Sequence, residues 1–127
     1  MAGADVDEVK RNVLVVEDEQ ILRETTAELV ALAGHDVATA GDGAAALRVI
    51  AGGFAPDVVV LDLLMPGMDG PSFLDELRRV ASPAPRVVVV TGVRSEHLKR
   101  LLGVSEVLFK PVGARELLAA IAGRAAR

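Results

Sequence analysis

The chain has 127 residues, 51% of them apolar, no cysteine and a net charge of −4. That length suits one domain with a real core, and the lack of cysteine excludes disulfides, thiolate metal sites and a cysteine nucleophile. The negative balance, with basic residues scattered, argues against direct DNA or RNA binding.

The opening stretch MAGADVDEVKRN puts Asp5, Asp7 and Glu8 where a signal peptide needs a basic end and an apolar run. No apolar run approaches the roughly 18 residues of a membrane span, so a cytoplasmic chain without membrane contact is expected. Residues 1–11 read as a loose tail. Strand and helix patterns then alternate five times. Val13–Val16 is an unbroken aliphatic strand, followed by a helical stretch in which Leu22, Leu29 and Leu32 share a stripe and Gly34 supplies the stop. His35–Thr39 reads as a second, more polar strand. Gly41 and Gly43 read as a turn rather than a phosphate loop, because Asp42 lies between them and no lysine follows. A helix over Ala44–Ala51 leads to the third strand, Val58–Leu61. Gly67 and Gly70 serve the next turn, Met65 and Met68 flank it as packing residues, and Pro71 fits the start of a helix. That helix, Phe73–Val80, turns Phe73, Leu74 and Leu77 inward and leaves the charges of LDELRRV on a solvated face. SPAP (82–85) ends it. The fourth strand is Val87–Val90. A helix over Ser95–Leu102 groups Leu98, Leu101 and Leu102 and stops at Gly103. Glu106–Phe109 is the fifth strand, and Ala114–Ala122 a last helix carrying Leu117, Leu118 and Ile121.

Strands alternating with helices at this spacing predict right-handed crossovers and an α/β fold with a doubly wound parallel sheet. The unbroken aliphatic first, third and fourth strands belong in its middle, the polar second and short fifth at its edges. With no repeat and no linker, a single domain over 12–124 is expected, with tails at 1–11 and 125–127.

In such sheets, sites form outside the carboxyl ends of the strands. Here the first strand runs into Glu17-Asp18-Glu19, the third ends on Asp62, the fourth on Thr91-Gly92 and the fifth on Lys110-Pro111. Polar loops after strands account for one or two of these residues but poorly for all four rims. Crowded carboxylates ask for a cation. Mg2+ fits, being a hard ion held by one or two carboxylates, waters and phosphate oxygens. Asp62 would then be a nucleophile toward a phosphoryl group, Glu17 and Asp18 metal ligands, Lys110 a point charge on a phosphate oxygen, and Thr91 and the Gly92 N–H hydrogen-bond donors.

VLVVEDE (13–19), VVVLDLLMPGMDG (58–70), VVVVTG (87–92) and LFKP (108–111) resemble the receiver domain of bacterial two-component response regulators, the CheY-like family, over about 13–122. The resemblance implies a flavodoxin-like five-stranded sheet of order 2-1-3-4-5 with helices on both faces. It implies phosphorylation of Asp62 by a sensor histidine kinase or a histidine phosphotransfer protein, with Mg2+ required and Mn2+ able to substitute. Glu17, Asp18 and Asp62 match the metal-binding acids, and the Leu64 backbone carbonyl a further metal ligand. Thr91 matches the switch hydroxyl, Lys110 the phosphate-binding lysine, and the Lys110–Pro111 bond would be cis. The implied module is no enzyme beyond its own phosphoryl transfer and dephosphorylation.

The chain departs from that pattern in two places. Val107 stands where receivers carry a switch aromatic, and the stretch from Thr91 to Lys110 is short, predicting a trimmed fourth helix. Movement of the 91–95 loop and that helix, without an aromatic flip, is therefore expected on activation. Gly113 replaces the polar N-cap of the last helix, a loss of only tenths of a kcal/mol. Leu64, Gly92 and Val93 occupy rate-tuning places. Apolar Leu64 and Val93 cannot position an attacking water, so a long-lived phosphoryl group is expected. His35 and His97 have no second ligand at metal spacing.

Competing readings fit less well. A phosphohydrolase of the haloacid dehalogenase type needs a second Asp where Leu64 stands, and an FMN carrier needs a phosphate loop where EDEQ would repel phosphate. A histidine phosphotransfer domain would be a helical bundle, and a pseudo-receiver would not keep all five polar site residues. Met1 and the tail favour a stand-alone or N-terminal receiver over one excised from a longer regulator or hybrid kinase. The downstream partner and the oligomeric state are not legible.

Overall fold

The computed structural model describes residues 9–63, 65, 67 and 69–123. Its strands are β1 (Asn12–Val16), β2 (Asp36–Ala40), β3 (Val58–Asp62), β4 (Arg86–Thr91) and β5 (Glu106–Phe109). They alternate with helices α1 (Gln20–Leu32), α2 (Gly43–Ala51), α3 (Gly70–Val80), α4 (Leu98–Leu102) and α5 (Ala114–Ala122). All strand pairs are parallel, in the order β2-β1-β3-β4-β5. The aliphatic β1, β3 and β4 are central and the polar β2 and short β5 are the edges, as the sequence patterns predict.

Side chains alternate between the faces of a strand, and so the sheet builds two cores. Val13, Val15, Val58, Val60, Val88 and Leu108 pack under α1 and α5 with Val30, Leu117 and Ile121. Leu14, Val16, Val59, Leu61, Val87 and Val89 pack on the other face with Ala46, Phe73, Leu74 and Leu77 of α2 and α3. All five residues of β3 are buried. Each such aliphatic side chain contributes about 1.5–3 kcal/mol by leaving water, which makes the wholly buried β3 a firm platform.

The helices differ from expectation in two places. The stripe expected on α1 at Leu22, Leu29 and Leu32 is not the buried one: Leu32 is 83% exposed and Leu22 37%, whereas Val30 is fully buried. The inward positions are Arg23, Thr26, Ala27 and Val30, a helical i, i+3, i+4, i+7 row with Leu29 beside it. Small residues let α1 approach the valine-rich strands, and the same rotation brings Arg23 under the loop after β1. The fourth helix starts at Leu98 rather than Ser95 and has five residues. Ser95 Oγ accepts the N–H of His97 (3.3 Å), a local turn that competes with helix. Leu101 therefore lies 73% exposed instead of joining Leu98 and Leu102.

Strand ends shift by single residues: β3 includes Asp62, β4 includes Thr91, and β2 runs from Asp36 to Ala40. His35 precedes β2, its Nδ1 accepting the backbone N–H of Arg11 (3.0 Å). Among the LDELRRV charges, Arg79 pairs with Glu76 in solvent (2.7 Å), but Arg78 does not merely face water. Its guanidinium donates to the carbonyls of Leu102 and Gly103 (2.8 and 2.9 Å), tying α3 to the carbonyl end of α4. Gly103 closes α4 in the left-handed region (φ 66°), where glycine carries no steric penalty. Met65 is buried in the α2–α3 core, and Met68 lies outside the described residues. Among the described residues no helix is long and apolar enough to cross a membrane.

Candidate functional site

The period of two that builds the cores also builds the site. Glu17 stands two residues beyond Val15, Asp62 two beyond Val60, and Lys110 two beyond Leu108, so all three continue the α1–α5 side of the sheet. Glu17 is 6% exposed and Asp62 5%. One oxygen from each of Glu17, Asp18 and Asp62 falls within 4.8 Å of the others. Lys110 Nζ lies 3.3 Å from Asp62 Oδ2 and 3.8 Å from Glu17 Oε1.

Among the described residues, three carboxylates face the Lys110 ammonium, so the cluster carries excess negative charge. Burial pushes the Glu17 carboxyl above its ordinary range, opposed by the Glu19 N–H and by Lys110 but reinforced by the charge of Asp62 and a hydrogen bond with it. Donors that are all oxygen, with an uncompensated charge in a half-enclosed pocket, suit a hard divalent cation such as Mg2+.

The backbone holds these groups in place. Glu17 N–H donates to the Ala40 carbonyl at the end of β2 (3.0 Å), and Glu17 Oε2 accepts the N–H of Glu19 (3.1 Å). Glu19, the third acid of the run, turns away to cap α1, accepting from Leu22 and Ile21. Arg23 Nη1 donates to the Glu17 carbonyl (2.9 Å) and, more weakly, to that of Asp18 (3.4 Å). Nothing in the sequence around Arg23 singled it out, because its role depends on the rotation of α1.

Thr91 is fully buried one residue past Val90, the partner of Asp62 in the sheet. Its Oγ1 accepts the N–H of Val93 (3.0 Å). Gly92 is exposed and Val93 39% exposed in the loop after β4. The Lys110 N–H donates to the Thr91 carbonyl (2.8 Å), and the Lys110–Pro111 bond is cis. Val107 packs half-buried against the α2–α3 core. Leu64, expected to offer a carbonyl to the metal, lies outside the described residues. Of the expected site residues that are described, the structure gathers Glu17, Asp18, Asp62 and Lys110 in direct proximity and sets Thr91 on the neighbouring strand end. His97 is exposed at the start of α4.

The sequence profile of the response regulator receiver domain matches residues 13–122. The chain belongs to that family. The receiver is 37% identical over 106 residues to the Regulator of RpoS of Escherichia coli, covering 82% of this chain and 31% of that protein. It is 39% identical over 113 residues to the sensory transduction protein RegX3 of Mycolicibacterium smegmatis, covering 87% and 48%. The chain thus spans a third to a half of the curated relatives it matches. Among solved structures, the receiver domain of the Francisella response regulator 1452 superposes with a TM-score of 0.77 at 29% identity, covering 88% of this chain and 93% of that one. The chemotaxis protein CheY4 of Vibrio cholerae gives 0.78 at 25% identity, covering 89% and 97%. The receiver is a signalling module of two-component systems rather than a classical enzyme.

Proposed function

We propose that the receiver, folded over 12–124, accepts a phosphoryl group on Asp62 from a sensor histidine kinase or a histidine phosphotransfer protein, and that the phosphorylated form presents a changed protein-binding surface. The observation that carries this reading is the buried Asp62 carboxylate, held on the wholly buried β3 with Lys110 at 3.3 Å and two further acids beside it.

Asp62 Oδ attacks phosphorus, one O–P bond forms, and the donor's N–P bond breaks with its electron pair leaving on the imidazole nitrogen. Lys110 already points its ammonium at Asp62 and turns to a phosphoryl oxygen as charge accumulates there. Thr91 donates its hydroxyl hydrogen to a second oxygen, and the Gly92 N–H assists. Glu17, Asp18 and Asp62, with the Leu64 carbonyl, are the residues that would hold Mg2+ or Mn2+. Such an ion neutralises charge on the transferring group. Arg23 keeps the Glu17-Asp18 turn in register. Val93 and Leu64 offer no hydrogen bond to an attacking water, which favours a slowly hydrolysed acyl phosphate. A cytoplasmic site of action follows from the kinase partner.

Incubation with acetyl phosphate and Mg2+, followed by intact mass, tests the reading. One added phosphoryl group is expected, lost in Asp62→Asn and with EDTA. An unchanged mass under all conditions points instead to a partner-binding module that is not phosphorylated.

A further inference from the structure

We propose that Arg94 and Phe109 form the latch through which the state of Asp62 reaches the surface, in place of the aromatic absent at position 107; this deepens the phosphoacceptor reading and rests on it. Phe109 pairs with Thr91 in the parallel register of β4 and β5, so the two side chains leave the same face of the sheet. Phe109 also shares a face with Val107, two residues earlier, which brings the strand's aromatic one step nearer the site. The Arg94 guanidinium carbon stands 5.2 Å from the centre of the Phe109 ring, within the range of a cation–π contact. Arg94, Ser95, Glu96, His97 and Phe109 line one open cleft of ≈ 450 Å³.

A short chain of contacts connects this pair to the site. Thr91 Oγ1 accepts the N–H of Val93, which fixes the turn that carries Arg94. The Lys110 N–H holds the Thr91 carbonyl, keeping the end of β5 against that of β4. The corner is thinly packed, since α4 has five residues, none of them buried, and Arg78 holds only its carbonyl end. When the Thr91 side chain turns about its Cα–Cβ bond to bring the hydroxyl to a phosphoryl oxygen, Oγ1 moves away from the Val93 N–H. The turn then relaxes, Arg94 leaves the ring, and the face of Phe109 is uncovered. A surface cation–π contact is weak enough to be reversed by one such exchange of hydrogen bonds.

The test follows the Arg94 side-chain N–H by NMR while intact mass is read on the same sample. In the resting receiver the signal is displaced by the Phe109 ring current; with acetyl phosphate and Mg2+ it moves toward its position in Phe109→Leu. A phosphorylated sample whose Arg94 signal stays in place overturns the latch and leaves the phosphoacceptor reading intact. A sample that gains no phosphoryl group overturns both. Rates give a second readout. Arg94→Gln and Phe109→Leu each remove the resting latch, so each takes up the phosphoryl group roughly two- to fivefold faster. If the Arg94 charge served only to attract the anionic donor, Arg94→Gln would be slower and Phe109→Leu unchanged, and the latch would be refuted.

Discussion

The two ends of the site are built to opposite standards. On one side, Glu17 and Asp62 extend β1 and β3, whose aliphatic residues are buried on both faces. On the other, Thr91 leads into an exposed loop, a one-turn helix with Leu101 in solvent, and an edge strand of four residues. The difference separates chemistry from transmission. A carboxylate proposed to accept a phosphoryl group needs a platform with few alternative positions. A segment that reports on that carboxylate needs competing arrangements close in energy, and thin packing supplies them.

The contrast is broken most completely by Asp62→Asn, which removes the nucleophile and is expected to abolish phosphoryl uptake in the intact-mass assay while the fold persists. Next in size, Leu61→Ala should lower stability by about 2–5 kcal/mol, because a fully buried side chain on β3 leaves a cavity. Urea denaturation measures it. Arg23→Ala removes the donors to the Glu17 and Asp18 carbonyls and is expected to weaken Mg2+ binding about tenfold, read by calorimetric titration.

A smaller effect concerns the far end of the sheet. Burial, and then the charge of Arg11, lowers the pKa of His35, whose Nδ1 accepts the Arg11 N–H. With the folded pKa depressed, the unfolded chain takes up the proton first. The stabilisation is therefore complete above the usual value of 6.5 and is lost as pH falls through the folded value. The Lys10–Asp36 pair beside it is exposed and screened. The urea midpoint should drop between about pH 7 and about pH 5.5 more in the native chain than in His35→Gln. Smallest of all, Leu101→Ala on α4 should change stability by less than about 0.5 kcal/mol, and a larger loss would show that Leu101 is packed in solution.

Element types and strand order were legible because β1, β3 and β4 are aliphatic runs that only a doubly covered sheet accommodates. The gathering of Glu17, Asp18, Asp62 and Lys110 was legible because each lies at or just past the carboxyl end of a strand, where topology brings loops to one edge. The face of α1 was misread: three leucines at plausible spacing outweighed Arg23, Thr26 and Ala27, yet close approach to the sheet favoured the smaller row. The start of α4 was misread because Ser95 spends its hydroxyl on a turn. Arg78 was taken for a solvated charge because its acceptors, the Leu102 and Gly103 carbonyls, are far away in sequence.

By itself, then, the sequence determined the alternation of strands and helices, the central and edge positions, and the acids, hydroxyl and lysine at the strand ends, since these follow from local periodicity and chain order. Only the tertiary structure decided which side of α1 meets the sheet, that Glu19 caps a helix while Glu17 and Asp18 stay with Asp62, and that Arg94 covers Phe109. Those outcomes depend on distances between residues remote in the chain, and no local pattern encodes them.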